Sequence, residues 1–155
     1  MSNLNPKIEV AKRIAIEAHK GQKDKAGVDY YSGHLCSVAN GCSEELEKVV
    51  GYLHDVAEDT NLTEQGVCEM LRESSMFSEN EIEIIEVALT ILNQKNFRSR
   101  KEYIDAIKGN ELAKAVKKSD LQNNMNLNRL ASVTEKDIER TEKYKKEYNF
   151  LNDIM

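Results

Sequence analysis

Tryptophan is absent from this chain, proline occurs once, and glycine only seven times in 155 residues. So few backbone breakers argue for helices joined by short connections. Cysteine is scarce too. Cys36, Cys42 and Cys68 are odd in number and show no CxxC spacing, so they read as small buried hydrophobes in a reducing cytosol rather than a disulfide frame or a zinc site. No apolar run approaches the roughly 18 residues of a membrane span. The opening MSNLNPKIEV lacks the apolar stretch of a signal peptide. A cytoplasmic protein with no membrane partner is the expectation. Positive charge is also in deficit, with 22 Lys and Arg against 27 Asp and Glu for a net charge of −5. That argues against nucleic acid as a partner, since non-specific binding needs a clustered basic surface. A protein of this charge that binds phosphates must neutralise them locally, with a metal or a few placed Lys and Arg.

What is present is an ordinary globular balance, 40% apolar and 32% charged. The length suits one domain, 1–155, able to bury about 70% of the surface its unfolded chain exposes. Asn5-Pro6 opens a first helix, with an Asn cap and Pro at the first helical position. Ile8, Ala11, Ile14, Ala15 and Ala18 line one face of it, and Gly21 closes it. Residues 22–33 read as a loop. Ser43 caps a helix whose stripe is Leu46, Val49, Val50, Leu53 and Ala57, and Thr63 starts another to about Glu73. Ser78 to Glu81 and Ser99 to Glu102 are capping boxes. Asn110 caps a helix through Met125, and a polar helix spans Thr134 to Asp153. An all-α single domain of roughly seven or eight helices is expected.

Chemistry concentrates in the segment Gly51-Tyr52-Leu53-His54-Asp55-Val56-Ala57-Glu58-Asp59-Thr60. Helical spacing crowds Asp55, Glu58 and Asp59 on one side, beside an apolar stripe where an unpaired charge is costly. A His-Asp pair alone is usually solvated or caps a helix, and Asp59-Thr60-Asn61 can simply end one. Other residues tip the balance. Only three histidines occur, at 19, 34 and 54. His34 sits where loop gives way to helix, and Asp120 lies mid-helix in an apolar frame, where a buried Asp needs a partner. Two imidazoles and two carboxylates from separate helices suit Mn, Fe or Zn in an open site.

The pattern H…HD…D resembles the HD-domain phosphohydrolases. Ala18-His19-Lys20-Gly21-Gln22 with Tyr30-Tyr31-Ser32-Gly33-His34, then Leu53 to Thr60, then Lys117-Lys118-Ser119-Asp120-Leu121-Gln122-Asn123-Asn124-Met125, is similar to the ppGpp hydrolase domain of the RelA/SpoT family. The likeness spans about residues 8–130. It implies an HD-type helical bundle in which His34, His54, Asp55 and Asp120 bind one divalent ion, usually manganese in that family. It further implies that Glu58 and Asp59 position or activate water, and that Lys25 and Asn124 contact a small phosphorylated nucleotide. His19 and Gln22 belong to its signature, either shaping the loop or joining the chemistry. Thr90 either lines the pocket or packs its helix.

The departures bear on substrate. Where the family has a nucleotide-binding Arg this chain has Asp24, its Glu-Pro is Val28-Asp29, its Pro after the ligand His is Leu35, and its Arg after the metal Asp is Leu121. Two cations that grip a phosphorylated guanosine are therefore absent. The length leaves no room for the synthetase and regulatory domains of long members, so a stand-alone hydrolase is expected. Three readings remain at this point: a ppGpp-type 3′-pyrophosphohydrolase, a hydrolase of another small phosphorylated metabolite or nucleotide, and a non-catalytic nucleotide- or partner-binding module that keeps the ion as a staple.

Overall fold

Helices begin where a side chain is placed to receive the first free N–H groups. Asn5 accepts from the N–H of Lys7 and Ile8 at the start of α1 (Pro6–Ala18), and Gly21, at φ +84°, turns the chain away beyond its end. In the computed structural model, which describes residues 5–127 and 130–153, the chain then runs through a loop into a π-helical turn, Tyr31–Leu35. That turn continues as α2 (Cys36–Asn40), followed by α3 (Glu45–Leu53), α4 (Val56–Asp59) and α5 (Glu64–Glu73). After these come α6 (Glu79–Leu92), a 3-10 turn at Gln94–Asn96, α7 (Arg100–Lys108), α8 (Glu111–Asn124) and α9 (Glu135–Leu151). Thr63, Ser78, Asn110 and Thr134 cap as expected. No strand occurs among the described residues, where β pairing is confined to an isolated bridge between Lys23 and Asp29. None of the helices there is long and apolar enough to cross a membrane. The opening four residues, part of the leader-segment reading, lie outside those described.

The bundle is organised on α3, which packs against α1, α2, α6 and α8. Val49, Val50 and Leu53 are fully buried on it, meeting a core that includes Val38, Ile85 and Val116. Each such side chain contributes about 1.5–3 kcal/mol by leaving water. Gly51 allows α3 to cross α2 closely: a Cβ there would stand 3.0 Å from the Ala39 Cα. Ser119 Oγ of α8 donates to the Val38 carbonyl of α2 at 2.7 Å. So α2, α3 and α8 are drawn together; His34 sits in the turn that leads into α2, His54 follows the end of α3, and Asp120 belongs to α8.

Four expectations shift. The helix expected to run through Ala57 stops at Leu53, and His54 and Asp55 form a turn before α4. The loop gives way to helical backbone at Tyr30, before residue 33. Glu44, not Ser43, caps α3, because Glu47 reaches back to its N–H and closes a capping box. Ser99 caps α7, but Glu102 turns to the Arg98 N–H rather than completing the box.

Candidate metal centre

His34 and His54 stand on irregular backbone, and that is what aims them. His34 is inside the π-helical turn, whose extra residue per turn rotates its side chain relative to α2. At the end of α3, the His54 Nδ1–H donates to the Gly51 carbonyl at 2.7 Å. That carbonyl would take the Asp55 N–H in an uninterrupted helix, so the side chain competes with helix continuation. Asp55 then starts α4 at φ −100°, ψ −1°. Asp120 projects from the regular interior of α8.

The four side chains converge. His34 Nε2 lies 3.0 Å from Asp120 Oδ1 and 3.5 Å from Asp55 Oδ2; His54 Nε2 lies 3.2 Å from Asp55 Oδ2 and 3.5 Å from Asp120 Oδ1. His34, His54 and Asp120 are all buried, with donor atoms within 4.8 Å of one another, a group that can hold a metal ion. Donors about 2.1 Å from one ion stand about 3.0–3.4 Å apart in octahedral or tetrahedral arrangements, close to the four His–Asp spacings, while Asp55 stands outside the three-residue group. The tautomers also fit. The His34 Nδ1–H donates to Asn123 Oδ1 at 2.7 Å, as His54 does to Gly51, which leaves both Nε2 atoms facing the carboxylates and able, once deprotonated, to coordinate an ion. His54 Nε2 is buried and makes no aligned hydrogen bond despite its two carboxylate neighbours. Groups aimed at a common centre, rather than at each other, have this relationship.

Two partners outside the set hold the carboxylates. The Tyr30 hydroxyl donates to Asp55 Oδ2 at 2.5 Å. The Lys117 ammonium donates to Asp120 Oδ2 at 2.8 Å and lies over the Tyr103 ring. Burial disfavours the Asp120 anion, but Lys117 and the two histidines outweigh it and hold its carboxyl well below the usual range. Burial likewise opposes charge on His34, yet Asp120 and Asp55 push its pKa up to about 9. The same balance raises His54 and depresses Asp55. The two carboxylates thus favour the protonated form of both imidazoles.

Glu58 and Asp59 flank the centre from α4. Burial and then the Asp55 charge raise both pKa values, which shifts each carboxylate toward proton transfer at neutral pH. Glu58 Oε1 accepts the Gln94 N–H at 2.9 Å. Asp59 accepts from the Gln22 side chain, whose Oε1 in turn receives His19 Nδ1 at 2.8 Å. His19 and Gln22 thus tie the loop to Asp59.

A cavity of about 360 Å³ opens beside the centre, lined by His34, Asp55, Glu58, Asp59 and Asp120, and Lys25 and Asn124 also line it. Asn124 Nδ2 also donates to Asp120 Oδ1 at 3.2 Å. Sequence reasoning missed Arg100, Tyr103, Lys117, Arg140 and Tyr144 on the same wall. Lys117 alone left a signal, one helical turn before Asp120. Thr90 is exposed and bonds its own helix at Glu86, away from this cavity. Asp24 lines it, but Oδ1 accepts the N–H of Ala26 and Val28 at 2.8 and 3.1 Å, so the carboxylate clasps its own loop. Leu121 is fully buried in the core, so no group at that position reaches a ligand. No model of a known protein family matches the chain.

Proposed function

We propose that this protein is a metal-dependent phosphohydrolase of the HD type acting on a small phosphorylated nucleotide, with a (p)ppGpp 3′-pyrophosphohydrolase-like reaction as the leading reading. The observation that carries it is the convergence of two Nε2 lone pairs and two carboxylates beside a second carboxylate pair that is not needed to hold an ion. His34, His54, Asp55 and Asp120 are the ligands, and their mixed N/O set suits Mn, Fe or Zn. A bound divalent ion supplies positive charge that acidifies water and polarises a phosphoryl oxygen. Glu58 accepts the proton of the attacking water, and Asp59 orients that water or returns a proton to the leaving group. Lys25 and Arg140 offer charge to the phosphates, and Asn124 orients the substrate while restraining Asp120.

A second reading, hydrolysis of another small phosphorylated metabolite, is favoured by Asp24, which puts an acidic side chain on the lining of a cavity that a tetra-anion would have to enter. Turnover of the manganese-loaded protein on ppGpp, pppGpp, common nucleotides and NADPH, with phosphate and pyrophosphate both measured, separates the two. Glu58→Gln keeps an acceptor for Gln94 and should retain the metal by elemental analysis while losing about 100-fold or more of kcat. Parallel loss of metal would make Glu58 a ligand, and unchanged turnover would remove it from the mechanism.

A further inference from the structure

Glu58 is held from outside the metal centre by a chain of hydrogen bonds that ends on α9. Its Oε1 accepts the Gln94 N–H at 2.9 Å, and its main-chain carbonyl accepts the Lys95 ammonium at 2.5 Å. Both donors sit on the 3-10 turn Gln94–Asn96, a three-residue element with little stiffness of its own. The turn is therefore only as fixed as its anchors. On one side Asn93 accepts the Lys95 N–H at 3.1 Å and donates to Glu64 at 3.1 Å. On the other, Arg100 Nη1 donates to the Gln94 side-chain Oε1 at 2.7 Å. Arg100 Nε and Nη2 form a fork on the two carboxylate oxygens of Glu147, at 2.8 and 2.7 Å. Glu147 belongs to α9 and its side chain is only 11% exposed. Serving an amide and a carboxylate in two directions at once requires the planar guanidinium.

We propose that Arg100 is a positioning residue that sets the Glu58 carboxylate through Gln94, and that Glu147 makes this setting depend on the docking of α9. The inference rests on the phosphohydrolase reading, in which Glu58 acts on water. Arg100 lines the cavity and invites assignment as a phosphate clamp, but Glu147 already neutralises it. Among the described residues no ion pair is found for Lys25, and Arg140 stands 3.8 Å from Asp137. The same α9 wall bears Thr141 and Tyr144, so the helix that borders the substrate also steadies the base.

The test uses the full chain, manganese-loaded, with Arg100→Lys, Gln94→Ala and Gln94→Glu. Lysine keeps the charge but cannot reach both partners. Alanine at 94 removes only the anchoring amide and spares both the N–H that Glu58 accepts and the Arg100–Glu147 pair. Arg100→Lys and Gln94→Ala should lower kcat about tenfold or more with KM and bound metal within about twofold. Gln94→Glu, which still accepts from Arg100, should recover most of the rate. Independently of turnover, hydrogen exchange at the residue-94 amide should quicken about tenfold in the two impaired variants. A raised KM at constant kcat would make Arg100 a substrate contact and overturn the proposal, as would a kcat loss matched by lost folded protein in circular dichroism. Faster exchange in a protein that turns over nothing would sink the phosphohydrolase reading while leaving the positioning role standing. Unaltered exchange in an active protein would sink the positioning role alone.

Discussion

Asp120 serves two masters on one carboxylate. Oδ1 faces the imidazoles and Asn124, while Oδ2 makes the direct ion pair with the buried Lys117 ammonium at 2.8 Å. The mid-helix Asp was legible in the sequence as something needing a partner, but two partners were found where a metal alone was expected. Asp120→Asn preserves shape and removes the charge. Lys117 is then buried and unpaired, a situation that destabilises by about 3–5 kcal/mol. Denaturant unfolding of the metal-free variant should show that loss, and elemental analysis of the loaded one should show reduced metal. Full stability in the metal-free variant would mean that Lys117 sheds its proton instead.

Among the elements, the α2–α3 crossing sets the distance between the two histidines. Gly51 sits inside α3 although glycine there costs about 1 kcal/mol relative to alanine. It is tolerated because a Cβ would press on the Ala39 backbone. Gly51→Ala should therefore destabilise by about 1–3 kcal/mol despite the gain in helix propensity. It should also weaken metal binding measured by calorimetry, since His34 leads into α2 and His54 ends α3. A stabilised Gly51→Ala with unchanged affinity would show that the two helices separate freely. The stripe from Leu46 to Ala57 predicted one continuous helix because periodicity is blind to a side chain that competes for a main-chain carbonyl, as His54 does at Gly51.

At the scale of the whole molecule, the buried His/Asp cluster couples stability to pH. The folded His34 pKa is about 9 against an ordinary 6.5. The stability this contributes in the metal-free protein is complete below the ordinary value and is lost as pH rises through 9. His54 is raised for the same reason and acts in the same direction. Asp55 and Asp120 lie well below the ordinary 3.8, so their contribution is present above that value and is lost on acidification. Metal-free protein should thus be most stable in mildly acidic to neutral solution. It should lose a few kcal/mol toward pH about 9–10. A divalent ion bound at this cluster would replace the protons and stabilise only the folded state. Melting with and without chelator across pH should therefore show the two curves diverging as pH rises. Parallel curves would mean that the ion binds elsewhere.

Helix starts were readable from the sequence because capping is settled within about three residues. Asn5, Thr63, Ser78, Asn110 and Thr134 each found the N–H groups expected of them. The all-α class followed from the shortage of proline and glycine together with those caps. Residue type and order also singled out His34, His54, Asp55 and Asp120, which lie together across three regions of the chain. The tertiary structure alone decided the rest. The convergence of His34 and His54 on Asp120 and the Arg100–Gln94–Glu58 chain depend on which segments meet. Ser119 and Val38, which lock α8 to α2, are 81 residues apart. Local propensity carries no information about such a contact. Packing complementarity and the need to pair buried charge do, and they act only once the helices are assembled.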